Sequence, residues 1–281
     1  MRIYLDCYPC FLRQALEAAR LSGADDDEQC SVVSRALEML RDIEPWRTPP
    51  EIGAEIHRSV REIVGSSDPY QAAKEASTSQ ALALYPRLKA MVAEADDPLD
   101  TAVRLSIAGN IIDLGFNLNS DLWETVERTR TRAFALDHRP AFQQALNRSR
   151  RALYLADNAG ETVFDRVLIE TLPVPVIYAV KGGAIVNDAT REDALAAGVN
   201  GAAEIVSTGS DAPGTILRSC SEEFRQLFDE ADLVIAKGQA NYETLSTSGA
   251  RTFFLLQAKC PILARDLGVP VGSMILKQGQ D

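Results

Sequence analysis

The spacing of apolar residues changes character near the middle of the chain. From Cys7 to about Asn147 it follows a helical period: Phe11, Leu12, Ala15, Leu16 and Ala19 share one face, and Val32, Val33, Ala36, Leu37 and Leu40 another. Thr48-Pro49-Pro50 with Glu51 behind it, Asp68-Pro69-Tyr70 and Asp96-Asp97-Pro98 each open a helix, because proline fits a first turn whose N–H groups have no partner. From Arg151 onward short β-branched runs alternate with helical ones. Strands are expected at 152–156, 174–180, 203–207, 232–236 and 251–256, and helices near 162–171, 190–197, 213–228 and 240–247. That alternation predicts an α/β fold, a parallel sheet covered on both faces in a three-layer, Rossmann-like core. An all-helical domain, 1–147, thus precedes an α/β domain, 148–281, and the absence of a flexible linker predicts that the two pack tightly.

Composition narrows the function. The 281 residues are 46% hydrophobic, ample for a buried core, with a net charge of −11 and a pI near 4.8. Such an acidic chain lacks the basic surface that grips nucleic-acid backbones, so no nucleic-acid partner is expected. Residues 1–20, with Arg2 and Asp6, do not resemble a secretory signal, and no later run is long enough to span a bilayer; the cytoplasm is the expected location, with no membrane partner. Five cysteines, an odd number, fit reduced thiols or a metal site better than a disulfide framework.

The chemistry is concentrated where the strands end. Run 152–156 releases Asp157-Asn158-Ala159-Gly160-Glu161; run 174–180 leads through Lys181-Gly182-Gly183 to Asn187-Asp188-Ala189-Thr190; the fourth strand leads to Lys237-Gly238-Gln239-Ala240-Asn241. Open α/β sheets bind ligands at these carboxyl ends. Carboxylate and amide oxygens suit a hard divalent cation, while lysine and turn N–H groups suit a phosphate, so together they point to metal-assisted phosphoryl chemistry. The competing reading makes Asp157-Asn158 and Asn187-Asp188 caps for helices at Thr162 and Thr190. Lys237 meets a phosphate or is a solvated lysine; Asn241 orients substrate or caps its helix; Glu161 contacts substrate or stabilises a helix N-terminus. Glu243 reads as helix-face structure. Asn110 interrupts the apolar run Ile107 to Leu114 and needs a partner, in the cleft or on nearby backbone. Asp113, one turn on, shares its face. The loop with Gly209, Asp211 and Gly214 suits the non-phosphate part of a substrate.

Those three strand-end motifs, with Ala108-Gly109-Asn110-Ile111-Ile112-Asp113 upstream, resemble the damage-control phosphatase family, long catalogued as a domain of unknown function, over nearly the whole chain. Cys7-Tyr8-Pro9-Cys10, and Asp68-Pro69-Tyr70 with Lys74, resemble its short prokaryotic branch; Ala184 departs from the proline of many relatives. The resemblance implies a divalent metal (Mg²⁺, Mn²⁺, Co²⁺ or Ni²⁺) held by Asp157, Asn158 and Asp188. It implies hydrolysis of small phosphorylated metabolites, sugar phosphates or related damaged metabolites. Asp157 and Lys237 would be catalytic, and Asn110, Glu161, Lys237 and Asn241 would bind substrate. Either Asp157 attacks phosphorus or water does; the Asp-x-Asp pair of many aspartate phosphatases is missing, which favours water. The runners-up are an S-adenosylmethionine-dependent carboxyl methyltransferase, disfavoured by the lack of an open Gly-x-Gly turn, and a non-catalytic metal- or metabolite-binding protein.

The thiols pose a separate question. Cys7 and Cys10 are half a zinc site or a redox dithiol, and Cys260, with His57 as a fourth ligand, would complete a second metal site; packed free thiols are the alternative. Cys30 and Cys220 read as core residues. With only two histidines, His138 at a helix end or on the surface, a His-based triad is not expected.

Overall fold

The computed structural model describes residues 1–111 and 122–280. Its first three helices, α1 (Cys7–Leu21), α2 (Asp26–Arg41) and α3 (Pro49–Val64), pack about Phe11, Ala15, Val32, Ala36, Ile52 and Ile56. Leu37, expected on the buried face, is exposed. The proline openings hold: Pro49 sits in the first turn of α3 behind a Thr48/Glu51 capping box. Helices α4 (Gln71–Ala93) and α5 (Pro98–Ile111) follow, then α6 (Leu122–Thr131).

The sheet has seven strands. In chain order they are β1 (Phe134–Asp137), β2 (Ala152–Leu155), β3 (Val176–Val180), β4 (Glu204–Ser207), β5 (Leu233–Lys237), β6 (Thr252–Gln257) and β7 (Met274–Gln278), and across the sheet β1-β7-β6-β5-β2-β3-β4. All neighbours are parallel except β6 and β7. Between them lie α7 (Arg139–Arg148), α8 (Thr162–Ile169), α9 (Arg191–Ala196), α10 (Glu222–Glu230), α11 (Gly238–Leu245) and α12 (Pro261–Leu267). Side-chain alternation splits the core. Tyr154, Tyr178, Leu233, Ile235 and Phe253 face α4, α5 and α8, whereas Leu153, Ala179, Val234, Ala236 and Phe254 face α10, α11 and α12. The result is the expected three-layer α/β core with a helical region before it.

Three expectations change. Residues 1–147 are not wholly helical, since β1 joins the sheet beside β7, and α4 and α5 form part of the layer over the sheet rather than a separate body. The sheet is not fully parallel, because β7 returns against β6. A helix over 213–228 shortens to α10, because Gly214 takes a positive φ of 64° and lies so close to Ala240 that a side chain would collide with its carbonyl. Among the described residues no helix is long and apolar enough to cross a membrane.

The chain leaves β2 toward β3 and β4 in one direction, and β5 leads to β6 in the other. Adjacent β2 and β5 therefore form a switch point, where their carboxyl ends part to make a crevice.

Candidate active site

Asp157 follows β2 at this switch point, and Gly238 follows β5 opposite it. Gly238 has a φ of 77°, and any Cβ there would run into the Asp157 carboxylate, so glycine is required both by the turn and by the approach. The loop after β3 is stitched to the same point through backbone: Ala189 N donates to Asp157 O at 2.8 Å, Ala159 N to Asn187 O at 2.8 Å, and Asn158 pairs with Asp188 in an isolated bridge. Asp157, Asn158 and Asp188 are thereby brought side by side, all buried. None of these side chains caps α8 or α9. Asn158 Nδ2 donates to Glu161 Oε1 at 2.7 Å, and α9 is capped by Thr190 and Asp193 instead.

Beneath the three lies a polar floor. Asn110 Nδ2 donates to Asp157 Oδ2 at 2.9 Å and to Glu161 Oε1 at 2.7 Å, while its Oδ1 accepts from Gln257 N at 3.2 Å. Burial pushes the Asp157 carboxyl well above its ordinary range, helped by the charges of Glu161 and Asp188 and opposed by Lys259 and Lys181. Four buried carboxylates, Asp157, Glu161, Asp165 and Asp188, face two buried ammoniums, Lys181 and Lys237. There are two more carboxylates than ammoniums, a surplus that suits a divalent cation between Asp157 and Asp188.

Lys237 does not match its expected role at an open strand end. It is 0% exposed, with Nζ 3.0 Å from Glu161 Oε2 and 2.6 Å from Asp165 Oδ1. Burial alone would lower its pKa, but Asp165 and Glu161 outweigh burial and hold the lysine charged. Asp165, on α8, escaped the sequence reading. It also accepts from Tyr154 Oη at 2.7 Å, Tyr178 Oη at 2.8 Å and Ser106 Oγ at 3.2 Å. Burial and the Asp165 charge push both tyrosines well above their usual range, so they remain donors. Lys181 Nζ lies 3.3 Å from Asp188 Oδ2 and donates to Gly214 O.

The other expected substrate contacts also form floor rather than open surface. Asn110, Glu161 and Asn241 present no surface to solvent. Asn241 Nδ2 ties Ala156 O and Lys237 O together at 3.1 and 2.7 Å, and its Oδ1 accepts from Thr215 Oγ1 at 2.8 Å, so it staples β2 to β5 instead of capping a helix. Asp113 lies outside the described residues. Asp211 is taken by Arg58 at 2.8 Å and Arg61 at 2.7 Å, which fasten its loop to α3. Two clefts, of about 500 and 280 Å³, are lined respectively by residues such as Arg87 and Trp123 and by residues such as Asp97 and Arg139; neither includes a residue of the turns that follow β2, β3 and β5.

The possible thiol site is not placed as a metal centre. Among the described residues no group of three or more His, Cys, Asp or Glu side chains is placed to share a metal ion. Burial pushes the Cys7 thiol up, Cys260 Sγ accepts from Leu263 N at 3.3 Å as the N-cap of α12, and Cys10 Sγ takes Gln14 Nε2 at 3.5 Å. Cys220 is buried as expected, whereas Cys30 is exposed. His57 sits in the helical core beside Tyr70, its ring 6.1 Å away, and burial reinforced by Arg61 pushes its pKa down to about 4. A histidine lowered from 6.5 is neutral in both states above pH 6.5, so stability is lost as pH falls from there toward 4. At pH 5 the loss relative to pH 7 is about 2 kcal/mol. His57→Leu should reduce the difference in urea-unfolding free energy between pH 7 and pH 5 by about that amount; an unchanged difference would show that His57 is not a buried neutral group.

Comparisons with known proteins follow this geometry. Residues 3–275 match the damage-control phosphatase ARMT1-like domain. A damage-control phosphatase of Archaeoglobus fulgidus is 35% identical, with 99% of each chain covered, and one of Pyrococcus horikoshii is 33% identical over 98% of this chain and 97% of its own. The crystal structure of a DUF89 family protein from Pyrococcus horikoshii superposes with a TM-score of 0.92 at 32% identity, covering both chains entirely.

Proposed function

The chain belongs to the damage-control phosphatase ARMT1-like family, and from that premise we propose that it is a metal-dependent phosphatase hydrolysing phosphomonoesters of small metabolites, sugar phosphates or related damaged metabolites. One observation carries the metal dependence. At the switch point Asp157 and Asp188 are held together in a buried site with two more carboxylates than ammoniums. Asp157, Asn158 and Asp188 are the proposed ligands of a Mg²⁺, Mn²⁺, Co²⁺ or Ni²⁺ ion, which when bound supplies Lewis-acid polarisation of the phosphoryl group.

The protein's own residues do the rest. Asn110 and Asn158 hold Glu161, and Asn110 also fixes one oxygen of Asp157, so the ligands are oriented before substrate arrives. Lys237 pairs with Glu161 from below, and its charge offsets part of the negative field that a phosphate would otherwise meet. In the overall reaction a water oxygen bonds to phosphorus, the ester P–O bond breaks, and the proton shed by water ends on the departing alcohol oxygen. With no Asp-x-Asp pair, Asp157 serves as ligand and not nucleophile.

A panel of small phosphomonoesters, screened with chelator-stripped protein and each of the four ions, tests the proposal. Phosphate release should appear on metal addition and vanish with excess chelator. No release from any member, or methyl transfer from S-adenosylmethionine in its place, would overturn it.

A further inference from the structure

The turn that delivers Asp188 is strained. Asp188 N donates to Ile185 O at 3.0 Å and closes a tight turn over Ile185-Val186-Asn187-Asp188. Val186, its second residue, has a positive φ of 45° while Asn187, its third, does not, the pattern of a hairpin-type turn in which glycine is the usual second residue. Among the described residues no other non-glycine takes a positive φ, and the branched Cβ of valine makes that conformation costly.

The helical region holds this turn from outside. The Val186 side chain packs against the core shared by α1, α2 and α3. Arg61, on α3, donates through Nη1 to Ala184 O at 2.9 Å, one residue before the turn, and through Nη2 to Asp211 Oδ2 at 2.7 Å, in the loop after β4. Those two loops meet backbone to backbone: Gly182 N donates to Ser210 O at 2.9 Å, and a Cβ on Gly182 would collide with Gly209. On its inner side the turn runs into the bonds from Ala159 N to Asn187 O and from Ala189 N to Asp157 O, both 2.8 Å, that set Asp188 beside Asp157. A turn that opposes its own backbone preference keeps its shape through the contacts around it.

We propose that Arg61 is a positioning residue for Asp188: from α3 it holds the strained Val186 turn closed, so that the Asp157 and Asp188 carboxylates are assembled when the helical region is docked on the sheet. The proposal rests on the metal reading of that pair and adds to it a residue outside the strand-end loops. Arg61 acts through the Ala184 carbonyl and the turn, without contributing a ligand atom. Removing its positive charge would by itself strengthen cation binding, so a fall in affinity reports geometry.

Mn²⁺ titration and amide hydrogen exchange of the metal-free proteins read the ligand pair and the turn separately. Arg61→Met should weaken Mn²⁺ binding by about tenfold, the order set by one strained residue released, and speed exchange at the Asp188 and Ala189 amides. Val186→Ala and Val186→Gly both remove the packed methyl groups and differ by the Cβ. The glycine variant should therefore bind Mn²⁺ about threefold or more tighter than the alanine variant, and exchange more slowly at those amides, the reverse of the order that glycine's flexibility gives in an unstrained turn. Combined with Arg61→Met, Val186→Gly should restore most of the lost affinity and Val186→Ala should not. Unchanged exchange at Asp188 and Ala189 in Arg61→Met, or an alanine variant that holds the turn as well as the glycine one, would overturn the proposal, and the Val186 pair decides it even if Arg61→Met does not fold. Wild-type protein that binds no Mn²⁺ would instead overturn the metal reading; the two failures are told apart because exchange needs no metal.

Discussion

Asp157→Asn should reduce metal-dependent phosphomonoester hydrolysis to the level of the uncatalysed background while leaving the thermal midpoint unchanged or raised. The side chain keeps its shape and can still accept from Asn110 Nδ2, now 2.9 Å from Asp157 Oδ2, so the floor survives. What disappears is half of the anionic anchoring for the cation and with it the electrophile. Stability should not suffer, because this carboxylate is buried among like charges from Glu161 and Asp188 and is disfavoured in its ionised form. Asp188→Asn should lose turnover as well, but with a fall in stability, since Lys181 would lose the carboxylate 3.3 Å away. Hydrolysis at the wild-type rate in either variant under limiting metal would rule out this ligand set.

Lys237→Met should destabilise the fold by about 3–5 kcal/mol, the usual consequence of removing one partner from a buried ion pair. Here two carboxylates, Glu161 and Asp165, would be left without their shared cation in a site closed to water. Activity should fall by about two orders of magnitude in whatever fraction remains folded, through loss of one electrostatic stabiliser. The double variant Lys237→Met/Asp165→Asn should recover part of the stability, because it removes one of the stranded charges and leaves Tyr154 and Tyr178 a polar partner. Urea denaturation of the three proteins measures this coupling; a Lys237→Met protein as stable as wild type would show that the ammonium has no structural duty.

The residues that carry the strand-end chemistry were legible because β2, β3 and β5 are short runs of apolar residues buried on both faces, each ending abruptly in polar groups. Strands β1 and β7 were not. Phe134–Asp137 is four residues long with every other side chain exposed, at an edge, and Met274–Gln278 carries only three apolar residues before Lys277. Neither contrasts enough with its surroundings to signal a strand. Asp165 was hidden for another reason: its partners come from α5, β2, β3 and β5, and only the register that sets Tyr154 beside Tyr178 gathers them. One signal was available for Lys237. Strand alternation puts it on the same face as Leu233 and Ile235, the face that α8 covers, and not toward the open crevice. Likewise an aspartate in the apolar run Thr162–Ile169 required a buried cation somewhere, and Lys237 supplies it. The thiols show the converse limit: Cys-x-x-Cys spacing is visible in the sequence, but whether Cys260 joins it as a ligand or caps α12 depends on a loop whose path no local pattern sets.

The measurement that bears most directly on the central claim is a Mn²⁺ titration of chelator-stripped protein followed by electron paramagnetic resonance, run on wild type, Asp157→Asn and Asp188→Asn. One Mn²⁺ per wild-type chain, with binding lost in both variants and a spectrum altered by added inorganic phosphate, is the predicted result; no binding by wild type, or equal binding by all three, would contradict a cation held where β2 and β5 part.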